Sequence, residues 1–411
     1  MGDHWFVTLS WIQATGHYGP MSAATELRGD AMKEKKNTRF DEPQHPGRRL
    51  CALLECRYPI LQAGMGGVAR AELVAAVTQA GAYGSLGMVR ERPELISAEI
   101  DGVRARTERP FGVNVIPAAT DPHLLEEQLA VCFEKHVHSI ALFWDVHSDV
   151  IERIKSRGLL VVHQVGSVAQ AQEAQRAGAD LIVAQGFEAG GHVHRGVTSL
   201  VLLPQVVKVL EVPVVASGGF ATGESLVAAW ALGAAGIQCG TAFLATQESF
   251  AHDYHKQRVV AATEEDTVHT EIFAINWPPH APVRVLENSV TRAQKDATPG
   301  ASAATIAEPV AMDDGRPILR TSTDSPLRTT TGNLEPLALY AGQVAGQLDT
   351  LPTVQERIDS IMIAAERTLQ ALERGSPVAT TGSDAERHDA LHGKTQPYAS
   401  SPCYQHELED E

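Results

Sequence analysis

The architecture of this chain is most visible in one stretch, Arg176-Ala177-Gly178-Ala179-Asp180-Leu181-Ile182-Val183-Ala184. A glycine that follows a helical pattern is typical of a helix C-terminus, where the backbone turns through positive φ. The apolar run 180–184 that comes next is typical of a strand that is buried on both faces of a parallel sheet. A helix, a glycine turn and a buried strand in this order form the repeating unit of an α/β fold.

The same unit recurs on both sides of this stretch, and Gly81 and Gly233 occupy equivalent turns. Short β-type runs lie at 59–62, 83–86, 111–116, 139–143, 159–163, 180–184, 212–217 and 236–240. Helical patterns alternate with them at 71–80, 123–135, 148–156, 168–177, 199–210 and 223–232. Eight βα units at this even spacing predict an α/β protein with a closed (β/α)8 TIM barrel rather than an open doubly wound sheet.

The predicted barrel covers residues 49–292 and is flanked by appendages. Residues 1–48 are polar and rich in helix breakers, which predicts an irregular N-terminal extension. After the last strand come a helical pattern at 251–263 and an aromatic, proline-rich excursion at 266–290. Residues 293–374 predict a loop or linker up to 333, followed by helices at 336–348 and 353–374 that pack on the barrel, and the polar tail 375–411 is expected to be disordered.

Composition excludes several classes of function. The chain of 411 residues has a formal charge of -16, which argues against a nucleic-acid surface or an anionic membrane surface. Its five cysteines are sparse and form no Cys-x-x-Cys pair, so neither a disulfide framework nor a zinc site is indicated. No signal peptide and no apolar run long enough to span a membrane is evident. We therefore expect a cytoplasmic protein whose partners are small molecules.

The loop after the strand 180–184 carries chemistry among its glycines. It reads Gly190-Gly191-His192-Val193-His194-Arg195-Gly196, and in an extended segment the two histidines would share one face. One of them is a candidate base, and Arg195 is a candidate for attracting an anionic substrate. A metal site formed by His-x-His and Glu188 is a less favoured interpretation, because the sequence suggests no further ligands. Exposed loop residues without a catalytic role are the plain alternative.

Other polar groups and glycines fall at predicted strand ends. Gly218-Gly219 and Gly240-Thr241 follow the seventh and eighth barrel strands, a position that suits a phosphate monoester. The amides of Asn114 and Gln185 can both donate to and accept from the edge of a heterocycle. Together these groups suggest a flavin mononucleotide (FMN) across the barrel mouth. His163 at the end of the fifth strand is either a pocket wall or a core histidine.

At these residues the chain resembles the nitronate monooxygenase family of FMN-dependent TIM-barrel enzymes. The resemblance extends from about 59 to 292, more weakly to 340, and rests on Pro59-Ile60-Leu61-Gln62-Ala63-Gly64-Met65-Gly66-Gly67, Gly112-Val113-Asn114, Gln185-Gly186-Phe187-Glu188-Ala189-Gly190-Gly191-His192, Ser217-Gly218-Gly219 and Gln238-Cys239-Gly240-Thr241. It implies a catalytic role for His192, and no metal is predicted, because the residues offer no further ligand set. It also implies FMN contacts at Ala63, Gly64, Met65, Asn114, Gln185, Gly190, Gly218, Gly219, Gln238, Cys239, Gly240 and Thr241.

Two departures from the family pattern affect the expected site. Val193, His194 and Arg195 lengthen the loop after His192, so His194 competes for the role of base. Gly64 stands where proline or another small residue is common, which would loosen the turn beside the flavin.

The resemblance implies a cytoplasmic flavoprotein monooxygenase that oxidises alkyl nitronates or nitroalkanes with molecular oxygen. The pattern Glu188-Ala189-Gly190-Gly191-His192 is also similar to FMN-dependent enoyl-ACP reductases. An NAD(P)H-dependent enoyl reductase therefore stays open as the alternative. So does an accessory protein that binds flavin without catalysis.

Overall fold

The computed structural model describes residues 45–296 and 308–375, and the expectations for the two termini lie outside these residues except at 45–48 and 375. Eight parallel strands form one sheet in the order β1-β9-β8-β6-β5-β4-β3-β2. They are β1 (Ile60–Gln62), β2 (Ser85–Gly87), β3 (Gly112–Asn114), β4 (Ser139–Leu142), β5 (Leu160–Val165), β6 (Leu181–Gln185), β8 (Val214–Ser217) and β9 (Gly236–Cys239), while β7 (Gly191–His192) lies outside this sheet.

The sheet closes into a barrel between its first and last strands. A parallel bridge joins Leu61 to Tyr83, just before β2, and Gln62 N donates to Tyr83 O at 2.8 Å. All eight predicted barrel strands are present, and the (β/α)8 TIM-barrel class is confirmed. The glycine turns are confirmed as well, because Gly81, Gly178 and Gly233 have φ of +94°, +108° and +90°.

Helices surround the barrel, one before its first strand and one after each barrel strand. They are α1 (Arg48–Leu54), α2 (Ala71–Gln79), α3 (Pro93–Arg104), α4 (Pro122–Glu134), α5 (Ser148–Ser156), α6 (Val168–Ala177), α7 (Ser199–Val209), α8 (Gly223–Ala231) and α9 (Thr241–Leu244). Leu50 and Leu54 of α1 pack in one apolar cluster with Tyr83 and with strand residues such as Val183 and Val215. Burying this cluster supplies the main favourable term for folding of this part of the chain.

A small antiparallel sheet forms beyond the barrel, after α10 (Asp253–Val260). It contains β10 (Thr267–Thr270), β11 (Val283–Leu286) and β7, in the order β10-β11-β7. Because β7 carries His192 and pairs with β11, the predicted aromatic excursion holds one side of the glycine loop in place. The segment between β10 and β11, residues 271–281, is called the 271–281 loop below.

The segment predicted as a loop or linker contains regular structure in its described parts, 293–296 and 308–333, whereas 297–307 lie outside the described residues. Helix α11 (Ser289–Asp296) is followed by β12 (Pro309–Asp313), β13 (Arg316–Leu319) and β14 (Thr331–Gly332), which form a second antiparallel sheet. The turn between β12 and β13 is Asp314-Gly315, with φ of +45° and +77°. Asp-Gly is a strong signal for a two-residue hairpin, and polar composition concealed it.

The last predicted helices have different outcomes. The one at 353–374 is confirmed as α12 (Val354–Glu373), which a Thr353–Glu356 capping box begins. The one at 336–348 is wrong for most of its length, because only Gln343–Gln347 form a 3₁₀ turn. Helix α12 packs so closely on α8 that a Cβ on Gly223 would lie 2.1 Å from Ala365 N.

No helix within 45–296 or 308–375 is long and apolar enough to cross a membrane. The four cysteines in these ranges, Cys51, Cys56, Cys132 and Cys239, are free thiols.

Candidate active site

A cavity of about 690 Å³ opens at the carboxyl ends of the barrel strands. This volume is in the range of sites that hold a cofactor or a drug-sized ligand. Eleven of the twelve predicted cofactor-contacting residues line it, and His192 does too. They are Ala63, Gly64, Met65, Asn114, Gln185, Gly190, Gly218, Gly219, Gln238, Gly240 and Thr241. The structure therefore brings these residues together around one space.

Cys239 is the member of the predicted set that does not line the cavity. Successive residues of a strand point to opposite faces, and Gln238 takes the inward position. The Cys239 thiol is buried on the other side of β9, within electrostatic range of Arg357 on α12. Burial raises its pKa to about 12, so it stays a thiol.

The cavity glycines fall into two groups. Gly64, Gly190 and Gly218 are packed against protein, because an added Cβ would lie 2.3 Å from Asn114 Cβ, 2.4 Å from Gly342 N and 2.8 Å from Gly186 O. At Gly64 the departure from proline thus permits a close approach to Asn114 and does not loosen the turn.

Gly240 has no such reason to be glycine. Its φ is -99°, and an added Cβ would meet nothing closer than Ala63 Cβ and Met65 Sδ, both at 3.9 Å. Gly219 is similarly open, with Ser199 Oγ at 3.6 Å, although its φ of +87° also favours glycine. Bare backbone that faces a cavity is the arrangement that lets a ligand approach main-chain amides closely. This side of the cavity therefore fits a bound cofactor.

Amide side chains provide the polar groups inside the barrel mouth. Asn114 Nδ2 donates to Ala141 O at 3.0 Å, and Gln238 Nε2 donates to Gln164 Oε1 at 2.8 Å. Gln185 Nε2 donates to His192 O at 3.0 Å, whereas Gln185 Oε1 is buried with no partner. An orphaned acceptor in a cavity wall is satisfied when a ligand donates to it.

His192 is fixed by its backbone and by aromatic rings. Pairing of β7 with β11 sets it opposite Val283, and its imidazole stacks on Trp277 at 3.5 Å between ring centroids, with Trp144 and Tyr340 further out. Nε2 is buried without a hydrogen-bond partner. Burial, with a smaller contribution from the Arg90 charge, lowers the pKa of His192 to about 3, so the imidazole is neutral at physiological pH.

The competing loop residues lie outside the cavity. The His194 ring packs on Trp144 at 4.4 Å, its Nδ1 lies 3.2 Å from Gln170 Oε1, and Arg195 is exposed. The structure thus assigns the cavity position to His192. His163 is a core histidine, with Nδ1 3.0 Å from Gln164 O, and Gln164 lines the cavity in its place.

Sequence reasoning missed the residues on the opposite side of the cavity. Arg90, Trp277, Asp324 and Tyr340 line the space beside His192, and Phe143 contributes to its apolar wall. Arg90 Nη1 donates to Asn276 O at 2.7 Å, and its Nη2 lies 3.7 Å from Asp324 Oδ1. The one available signal for Trp277 was its place in the aromatic, proline-rich excursion.

A carboxylate shared by two arginines anchors this side. Arg316 Nη1 lies 3.0 Å from Asp324 Oδ2, closer than Arg90. Burial alone would raise the pKa of Asp324, but hydrogen bonds from Arg316 and Ser322 and the nearby positive charges hold it below its usual value. Asp324 is therefore ionised and orients both guanidinium groups.

The alternative of a metal site at His192, His194 and Glu188 finds no further ligands in the described residues. Within 45–296 and 308–375, no group of three or more His, Cys, Asp or Glu side chains is arranged to hold a metal ion. Glu188, its one nearby acid, instead accepts from Ser199 N and Ser199 Oγ at the start of α7.

Comparison with known proteins agrees with this geometry. The family model described as nitronate monooxygenase matches residues 48–363. A (3aS,4S,5R,7aS)-5-hydroxy-7a-methyl-1-oxo-octahydro-1H-indene-4-carboxyl-CoA dehydrogenase from Rhodococcus jostii (strain RHA1) is 32% identical over 348 residues, which are 79% of this chain and 97% of the relative.

Two solved structures show the same architecture. FabK from Thermotoga maritima is 31% identical with a TM-score of 0.69, and the match covers 79% of this chain and 98% of FabK. A nitroalkane oxidase from Streptomyces ansochromogenes is 28% identical with a TM-score of 0.65, and the match covers 79% of this chain and 99% of the oxidase.

Proposed function

This chain belongs to the nitronate monooxygenase family, whose members are flavin-dependent oxidoreductases, and on that basis we propose that it binds FMN and oxidises alkyl nitronates with molecular oxygen. The observation that carries the proposal is the neutral His192, whose unpartnered Nε2 lies in the wall of a cofactor-sized cavity beside Arg90. The neutral imidazole can donate a hydrogen bond to an anionic substrate, and the neighbouring guanidinium group of Arg90 supplies the positive charge.

The open strand ends suit the phosphate of FMN. Backbone amides at Gly219, Gly240 and Thr241 would hold it, since amides and a hydroxyl bind phosphate without a nearby lysine. Asn114 and Gln185 would meet the ring edge, and Ala63–Met65 would lie near the ring. When bound, the flavin supplies the redox chemistry, accepting electrons from the substrate and passing them to oxygen.

His192 positions the reacting group in this scheme. With its pKa lowered to about 3, it is a weak proton acceptor at neutral pH, so it acts mainly by hydrogen bonding to the substrate. This favours a substrate that arrives as the nitronate anion over a neutral nitroalkane that must first lose a proton. Trp277 stacks on the ring and keeps water from one of its faces.

Oxygen uptake tests the proposal. Purified protein loaded with FMN is mixed with a short alkyl nitronate without NAD(P)H, and oxygen consumption is followed with an electrode. We expect rapid uptake that depends on both nitronate and flavin. Absence of uptake by protein that demonstrably holds flavin would exclude nitronate oxidation.

A second candidate is an NAD(P)H-dependent reductase or dehydrogenase of an acyl thioester. Two observations favour it: the whole-length similarity to a CoA-thioester dehydrogenase and the apolar wall formed by Ile116, Phe143 and Trp277, which suits a larger carbon skeleton. Flavin reduction by NADPH or NADH, followed spectroscopically without oxygen, separates the two activities. A bound flavin that neither nitronate nor NAD(P)H reduces would point to the accessory role.

We also propose that the reaction takes place in the cytoplasm. The four described cysteines are free thiols, which agrees with a reducing compartment. Fractionation of cells that express the full chain would test this.

A further inference from the structure

Three buried nitrogen atoms without partners occur in one corner of the cavity. They are His192 Nε2, Arg90 Nε and Trp277 Nε1. The His192 and Trp277 rings are stacked at 3.5 Å, and Arg90 reaches the same loop through Asn276 O at 2.7 Å. Guanidinium and indole nitrogens can only donate, and a neutral imidazole nitrogen can donate in one tautomer. The corner thus offers three nitrogen atoms that can donate and that have no acceptor.

We propose that Arg90, His192 and Trp277 form a subsite for a planar oxyanion, with Arg90 supplying the positive charge. The inference rests on the proposed function and names the substrate group that the site recognises, which is a nitronate or a carboxylate of similar shape. Buried donors are costly when they are unsatisfied, and a ligand with two or more acceptor oxygens satisfies them together. Planar oxyanions match the fork of a guanidinium group especially well.

Arg90 shares its nearest carboxylate with a second arginine. Its carboxylate neighbour, Asp324, lies closer to Arg316, at 3.0 Å, than to Arg90, at 3.7 Å. Two cations therefore share one anion. The other part-buried acids of the cavity wall are engaged elsewhere: Glu91 with Arg70, Glu188 with Ser199, and Asp313 with Thr329 and Thr330. A bound anion would give Arg90 a counter-charge that it does not share with Arg316.

The backbone holds Arg90 in an unusual conformation. Its φ is +58°, and the φ of Asn276, which it contacts, is +73°. Residues other than glycine rarely adopt positive φ, and such positions concentrate at binding and catalytic sites. The Arg90–Asn276 contact joins the β2–α3 connection to the 271–281 loop, so the guanidinium is preorganised before a ligand arrives.

Anion binding to the holoenzyme tests the subsite. The probe is nitrate, a planar oxyanion, titrated calorimetrically into wild type, Arg90→Gln and Arg195→Gln, with chloride replaced at constant ionic strength. Arg195 is the matched control, since it is an exposed arginine that does not line the cavity. We expect Arg90→Gln to weaken nitrate binding at least about tenfold, as for loss of a charged hydrogen bond, and Arg195→Gln to leave it unchanged.

Further variants separate recognition from folding. Arg90→Lys keeps the charge without the planar fork, and Trp277→Phe keeps the ring without Nε1, so each should give a smaller loss of nitrate affinity. Circular dichroism melting and flavin content establish that each variant is folded. Nitrate that binds equally to wild type and Arg90→Gln, or does not bind wild type at all, would overturn the subsite.

Kinetics with nitronate distinguish the subsite from the function. If oxygen uptake occurs, Arg90→Gln should raise KM much more than it lowers kcat. Uptake with a KM that does not depend on Arg90 would overturn the subsite and leave the function standing. Nitrate binding that depends on Arg90 in an enzyme without nitronate turnover would support the subsite while the proposed function fails.

Discussion

The two sides of the cavity are built in different ways. On the cofactor side, Gly219, Gly240 and Thr241 all lie within two residues of a barrel strand, and the two glycines leave their backbone bare. On the substrate side, Arg90 and Trp277 come from connections far apart in sequence, and each meets His192 only in the folded chain. The first side is fixed by the barrel, whereas the second depends on segments packed over it.

Because of this difference, substrate binding can change while cofactor binding stays the same. Backbone amides at strand ends are tied to the barrel and are insensitive to most side-chain changes. The 271–281 loop and the β12–β13 hairpin add side chains to the opposite wall, among them Trp277 and Arg316. Loops on a rigid scaffold are where binding specificity usually varies. The same barrel can thus serve relatives with unlike substrates.

The largest effect is expected on the cofactor side, from Gly240→Leu. A leucine side chain would enter the cavity where an added Cβ has no protein neighbour closer than 3.9 Å, so it should displace FMN and leave the fold intact. Flavin absorbance per protein measures FMN binding, and the melting temperature measures whether the fold is intact. Gly196→Leu is the control, because Gly196 is exposed and has nothing within 4 Å. A full complement of flavin in Gly240→Leu would show that the cofactor lies elsewhere.

The next largest effect is expected from substitution of His192, which lies where the two sides of the cavity meet. Replacement by Asn should spare flavin binding and lower turnover by about 10² to 10³, the usual cost of removing one preorganised hydrogen-bond donor from a reacting anion. His194→Asn is the matched control and should change turnover little, since His194 packs on Trp144 outside the cavity. Steady-state kinetics compare them. Equal losses in the two variants would contradict the assignment of His192.

On the substrate side, Trp277→Ala should lower kcat/KM by about 2- to 10-fold, the range expected for loss of an aromatic stacking contact. Without the indole, His192 is less buried and its pKa should rise toward the usual value. We therefore expect the variant's activity to fall at acid pH, while the wild type shows no titration of His192 between pH 5 and pH 8. Identical pH profiles would mean that Trp277 does not shield His192.

The last effect concerns stability rather than rate. Burial lowers the pKa of both His163 and His255 to about 4, against 6.5 for an unfolded histidine. Below pH 6.5 the unfolded chain therefore binds more protons than the folded one, and the free energy of unfolding falls as pH falls. Each buried histidine should contribute a loss of about 2 kcal/mol by pH 5.

Denaturant unfolding between pH 7.5 and pH 5 measures this slope. His255→Gln should flatten it, because glutamine does not titrate and can still donate to Tyr340 O. His123→Gln, at an exposed position, is the control. An unchanged slope in His255→Gln would show that His255 is accessible to protons in the native state.

Local patterns were sufficient for the barrel and most of the cofactor side. The apolar run before Gln185 and the glycine at position 178 each report their structure through neighbouring residues alone. The hairpin at Asp314-Gly315 was equally local, and it was missed because the surrounding polar composition favoured a linker. Cys239 was predicted together with Gln238 but does not line the cavity, since only strand register determines which of two adjacent residues faces inward.

The sequence by itself determined the repeating βα unit, the glycine strand ends and the histidine-bearing loop, because each depends on residues that are close together in sequence. Only the tertiary structure decided that His192 rather than His194 lines the cavity, since pairing of β7 with β11 and stacking on Trp277 set its direction. It alone brought Arg90 to that ring and left Arg195 outside. These contacts join segments far apart in sequence, and long-range packing leaves no periodic signal in either segment.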